Sequence, residues 1–169
     1  MPNIHLSVVD RKYVHSATFG MLCNDVDAVN ALLRELAGKP DPDKPPKAVR
    51  VRDRMDFIRI ALQDNLRWVV ARDIDKSSQK EPNIVGMAMV HWMELGSKIN
   101  AYVDDIVVLE TYRGQKIGKK LMEELIKTAK DVGAECVDLT SKPSRTVANL
   151  MYVKMGFEKR DTNYYRLRI

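Results

Sequence analysis

The chain is poor in side chains that bind metals or cross-link. It holds 2 cysteines and 3 histidines in 169 residues. Cys23 and Cys136 lie far apart, and neither is spaced with His5, His15 or His91 as a ligand pair. A zinc ribbon and a disulfide scaffold are therefore excluded, and free thiols in a cytoplasmic protein without a metal are expected. Long apolar runs are missing as well, and nothing approaches the ~20 residues that span a bilayer, so no membrane partner is expected. The start, Met1-Pro-Asn-Ile-His-Leu-Ser7, lacks a basic region followed by an apolar one, and no secretory leader is expected. Aromatic residues make up only 7% and are not interleaved with the scattered lysines and arginines. That disfavours nucleic acid as a partner.

What is present suits one compact domain over residues 1–169, with 45% hydrophobic and 30% charged residues. The net charge of +5 fits an anionic ligand, or solubility alone. Apolar spacing divides the chain into elements. Ile4–Val9 reads as a strand, and a weakly patterned gap follows. Asn24 or Asp25 is placed to cap a helix that starts near Val26 and ends at Gly38. Residues 39–46, rich in Pro, Asp and Lys, read as a stiff exposed loop, a connector or a lid. A helix is expected from Asp53 or Arg54, then strands at 66–71, 84–93 and 101–109 in an antiparallel meander. The next helix is expected to run from Ile117 to about Asp131, followed by a strand at 134–139 and a helix from Ser144 or Arg145 to Gly156. Two short strands are expected within 157–169. The fold class is therefore α/β (α+β): a mixed, mostly antiparallel sheet, one parallel strand pair and helices on both faces.

The stretch of most chemical interest is Ile106-Val-Val-Leu109, then Arg113-Gly-Gln-Lys-Ile-Gly118, then Lys119-Lys-Leu-Met122. A strand passes through a glycine-bearing turn into a helix. The first amides of a helix have no intrahelical acceptor, and the dipole there favours an anion. A phosphate grip is the functional reading; a tight turn with solvated lysines is the plain one.

Two blocks together resemble the GNAT superfamily of acetyl-CoA-dependent N-acyltransferases. Arg113-Gly-Gln-Lys-Ile-Gly118 is similar to its Gln/Arg-x-x-Gly-x-Gly/Ala loop, with Lys116 where the family has its first glycine. Ala148-Asn-Leu-Met-Tyr-Val-Lys-Met-Gly-Phe157 is similar to its Ala-x-x-x-Tyr-x-x-x-Gly-Phe helix end. The resemblance implies acetyl-CoA as co-substrate, with its pantetheine arm paired to the backbone of Ile106, Val107 and Val108. It places the diphosphate on Gly114, Gln115, Lys116, Ile117, Gly118 and Lys119, with Arg113 adding charge and Arg145 and Asn149 on the cofactor side.

By the same resemblance Tyr152 is the general acid that protonates the departing thiolate. Asp104 and Asp105 begin the cofactor strand, and alternation turns one of them inward as a candidate base. His91 and Glu94 end the neighbouring strand as further candidates. The acceptor is then a small-molecule or protein amine, and the protein a monomer or homodimer. An acetyl-CoA-binding regulator without turnover, and a nucleic-acid-binding module, stay open as alternatives.

Overall fold

The computed structural model describes residues 2–17, 19–38, 53–76 and 83–167. The loop expected at 39–46 lies outside them. The chain forms two compact units, Met1–Leu139 and Thr140–Ile169.

The first unit is built on five strands: β1 (Ile4–Val9), β2 (Leu66–Asp73), β3 (Ile84–Leu95), β4 (Lys98–Val108) and β5 (Cys136–Leu139). They lie side by side in chain order. The first three pairings are antiparallel, and β4 with β5 is parallel. β3 and β4 turn through Gly96-Ser97, with Leu95 opposite Lys98. Gly96 has φ 50, which suits the first position of a two-residue hairpin turn. The parallel pair requires a crossover, and α4 (Ile117–Asp131) supplies it.

Both sheet faces are covered, so central strands are apolar on both sides rather than alternating. Trp68 and Val70 share one core with Leu22, Val26, Val29 and Leu32 of α2 (Phe19–Ala37) and Phe57 and Ile60 of α3 (Arg54–Ala61). Val69 and Ala71 point the other way and are also buried. α4 closes that second face with Ile117, Leu121, Met122, Leu125 and Ala129, spaced as one helical stripe. Gly86 permits the close approach. A Cβ there would sit 3.2 Å from the Val107 carbonyl and 3.4 Å from Leu121.

The first half of the chain differs from the sequence expectation in two places. A six-residue helix, α1 (Arg11–Ser16), fills the weakly patterned gap. Asp10 caps it by accepting from the Tyr13 amide at 2.9 Å. α2 then begins at Phe19, not near Val26. Asn24 and Asp25 are inside the helix, because Asp25 shares the inward stripe of Leu22 and Val29 and faces a half-buried cation. Arg72 of β2 meets Asp25 through two bonds of 2.7 and 2.8 Å, and also reaches Tyr13, Ser7 and Asn83. Tyr13 donates to the same carboxylate. Burial, and then that carboxylate, push the Tyr13 phenol up to about 12. Burial would lower Arg72, but the bonds to Asp25 outweigh it and hold Arg72 above its ordinary value.

The second unit contains α5 (Thr146–Lys154), which ends as expected before Gly156 with φ 91. The two strands expected in the tail do not form: no residue from Phe157 to Leu167 is in a strand. Alternating apolar residues make a strand only where another strand supplies the ladder. Here Tyr165 and Leu167 are 86% and 87% exposed.

Asp25→Ala would leave Arg72 charged and without its carboxylate. Urea unfolding should show a loss of about 3 kcal/mol. A loss under about 1 kcal/mol would mean that the network does not hold α2 to the sheet.

Candidate active site

The candidate site begins where β4 loses its second neighbour. The parallel ladder with β5 ends at Val103 opposite Leu139. No strand among the described residues pairs with Asp104–Val108 on that side. The same stretch carries a bulge. Met87 opposes Val107 and Met89 opposes Asp104, so Asp105 and Ile106 together face Ala88 alone. Asp105 absorbs the extra residue in the left-handed region at φ 50, which a short polar side chain tolerates better than most.

After Val108 the chain makes a short 3₁₀ turn, Glu110–Tyr112, and this turn is anchored from below. The Tyr112 hydroxyl donates to Asp73 Oδ2 at 2.8 Å. Both side chains are buried. Gly114 follows at φ 79, and Lys116 caps α4 in the left-handed region at φ 60. The amides of Gly114, Gln115, Lys116, Ile117, Gly118 and Lys119 donate to no protein acceptor among the described residues; the first amide bonded there is that of Lys120, to the Lys116 carbonyl at 3.1 Å. No acidic residue lies in the first turn of α4. Lys116, Lys119 and Lys120 are all exposed around it. Lys119 pairs with Glu123 at 3.2 Å; the unpaired amides, the helix dipole, Lys116 and Lys120 make this an anion-attracting point.

The remaining side chains divide. Asp104 lies in the open, with its Oδ2 3.5 Å from His91 Nδ1. Val107 is buried, and Ile106 and Val108 are half-buried. Arg113 does not stand free beside the loop. Its guanidinium pairs with Glu35 of α2 and donates to the Val108 carbonyl at 3.2 Å. A phosphate would have to compete with Glu35 for it. That ion pair spans 78 residues of sequence, which no local pattern announces. Nothing in the sequence joins Tyr112 to Asp73. Each is marked only by its place: an acid at a strand end and a tyrosine just before a glycine turn.

Within the second unit, Asn149 is committed to its own loop, donating to the carbonyls of Lys142 at 2.9 Å and Pro143 at 3.4 Å. Arg145 is the residue just before α5. Tyr152 is 7% exposed and lies edge-on to Phe157. Burial raises its phenol above the ordinary tyrosine value, while nearby Arg145 pulls it down. The hydroxyl is therefore protonated at neutral pH.

The sequence model of the Acetyltransferase (GNAT) family matches residues 26–157. The chain belongs to this family. That span includes the bulged strand, the loop before α4 and Tyr152. Aminoalkylphosphonate N-acetyltransferase of Salmonella typhimurium is 27% identical over 111 residues, which are 58% of this chain and 72% of that protein. Among solved structures, an acetyltransferase of Trypanosoma brucei superposes with TM-score 0.68 at 20% identity, covering 99% of this GNAT chain and 100% of its own. Glucosamine-6-phosphate N-acetyltransferase of Arabidopsis thaliana gives TM-score 0.67 at 17% identity, covering 98% of each chain. At these identities the two structures establish the shared fold alone. Among the described residues, no three His, Cys, Asp or Glu side chains converge as a metal site would require. No described helix is long and apolar enough to cross a membrane.

The family's first loop glycine is Lys116 here, and its left-handed backbone explains why glycine suits the position. A side chain there costs about 1 kcal/mol. In urea unfolding, Lys116→Gly should gain about 1 kcal/mol, and Lys116→Val, branched at Cβ, should lose at least as much. Loss of stability on introducing glycine would contradict the strain.

Proposed function

We propose that this GNAT-family chain is an N-acetyltransferase that takes acetyl-CoA as donor and an amine as acceptor. The observation that carries the reading is the row of unpaired amides from Gly114 to Lys119 beside the unpaired stretch of β4. The diphosphate binds at the amides. The pantetheine arm runs back along Val108, Val107 and Ile106. Five residues from Val108 to Asp104 extend about 16 Å, so the arm delivers the thioester near the bulge. The amine attacks the thioester carbon, and a backbone N–H at Val107 or Val108 holds the developing oxyanion.

The role of Tyr152 rests on the likeness of Ala148–Phe157 to the family's helix end. It gives a proton to the departing thiolate. Its raised value supports this, because an acid must still hold its proton when the bond breaks. Activity should therefore not fall on the alkaline side before the ordinary tyrosine range near ~10. In this reading the protein is a monomer or homodimer. An aminoalkylphosphonate is the first acceptor to try, because the Salmonella relative carries that name.

Calorimetry should show saturable acetyl-CoA binding below about 1 mM. Thiol release should appear with one of a panel of 2-aminoethylphosphonate, glucosamine 6-phosphate and a peptide N-terminus. No binding would overturn the proposal, and binding without thiol release across a wide set of amines would favour a cofactor-sensing regulator. Tyr152→Phe should lower kcat about 10²-fold and leave the acetyl-CoA affinity unchanged. Unchanged turnover would remove Tyr152 from the mechanism.

A further inference from the structure

The sheet face that carries Asp104 holds a second proton-active side chain. His91 of β3 stands directly across from Tyr102 of β4, with ring centroids 5.6 Å apart. Asp104 is its diagonal neighbour on the same face, at 3.5 Å from Nδ1. This is ion-pair distance, longer than a good hydrogen bond, and such contacts in unliganded sites tighten when charge develops. The two side chains are 38% and 53% exposed, so an ammonium group can reach them from solvent.

We propose that His91 is the proton acceptor for the incoming amine, with Asp104 as the residue that positions it. The assignment rests on the acetyltransferase reading and adds the base that reading lacks. Three observations converge on it. The β4–β5 ladder stops at Val103, where the acetyltransferase reading brings the far end of the arm beside Asp104. His91 is one diagonal step from that point. Its Nδ1 lies 3.5 Å from the carboxylate, and a carboxylate beside one ring nitrogen leaves the other to take a proton.

The groups around His91 are acidic, phenolic or apolar. Asp104 and Tyr102 face it from β4, and Asp138 of β5 lies in register with Tyr102 on the same side. β2 offers the apolar Leu66 opposite His91. The carboxylates Asp25 and Glu35 of α2 are bound to Arg72 and Arg113. α4 packs on the other face. None of the groups that face His91 from β2, β4 or β5 is a cation.

The step balances as follows. Nε2 of His91 takes one proton from R–NH3+. The neutral amine attacks the thioester carbon; the C–N bond forms and the C–S bond breaks. The new amide nitrogen gives up a second proton, the CoA sulfur gains one, and His91 releases its own to solvent. The net products are the acetamide, CoA thiol and one proton.

The test is the pH dependence of kcat/KM for the amine of the panel that releases thiol. Wild-type protein should show an acid limb. His91→Gln should lose about 10²-fold and the limb with it. Asp104→Asn should keep the limb and lower kcat rather than raise KM, because the imidazole loses the carboxylate that orients it. Calorimetric affinity for acetyl-CoA should be the same in all three. If His91→Gln keeps both rate and limb, the assignment is wrong while the acetyltransferase reading stands. If wild-type protein binds acetyl-CoA but releases no thiol with any amine, the reading itself fails, and this assignment falls with it.

Discussion

One buried hydrogen bond, from the Tyr112 hydroxyl to Asp73 Oδ2, fixes the place where β4 gives way to α4. Asp73 ends β2, and its amide bonds the Asn83 carbonyl just before β3 at 2.8 Å. The turn after β4 is thus tied to the far ends of two other strands. An unpaired buried carboxylate is costly, so the turn cannot swing away without exposing or stranding Asp73. Held in this way, the loop from Gly114 to Lys119 leaves its amides without a protein acceptor among the described residues. The anion-attracting character of the helix start follows from that constraint, and it would be lost if the loop bonded to itself.

Two residues near this junction carry backbone strain, Asp105 at φ 50 and Lys116 at φ 60. Each sits where the chain must change direction, one at the bulge and one at the helix cap. Left-handed backbone on a residue with a Cβ persists only where its surroundings over-determine it. At Asp105 the surroundings are the continuous β3 ladder on either side. At Lys116 they are the anchored 3₁₀ turn before it and the buried Ile117 after it. One strained residue borders the stretch that the acetyltransferase reading gives to the cofactor, and the other lies within its phosphate loop.

Much of this was legible in the sequence. The strand, glycine turn and helix from Ile106 to Met122 announce themselves by a change of apolar period from two to 3.6. The meander and the crossover follow from that pattern and the short turns. Less legible were features that depend on distant partners. Asp25 looks like a cap, and only Arg72, 47 residues away, makes it an inward residue of a longer helix. The Phe157–Leu167 tail has strand-like alternation, but a strand needs a neighbour, and pattern alone does not provide one. Arg113 was readable as a cation beside a phosphate loop; its attachment to Glu35 was not. The nearness of His91 to Asp104 follows from the β3–β4 register, which the two-residue turn at Gly96-Ser97 sets and which puts His91 opposite Tyr102.

The central claim is that a coenzyme diphosphate docks on the amides between Gly114 and Lys119. Backbone 15N–1H resonances of the labelled protein, followed during a titration with CoA, test it most directly. The account predicts that the Gly114–Lys119 amides show the largest downfield shifts, saturating together with the shifts along Ile106–Val108. If those six amides stay in place while CoA saturates a different set, the claim is contradicted.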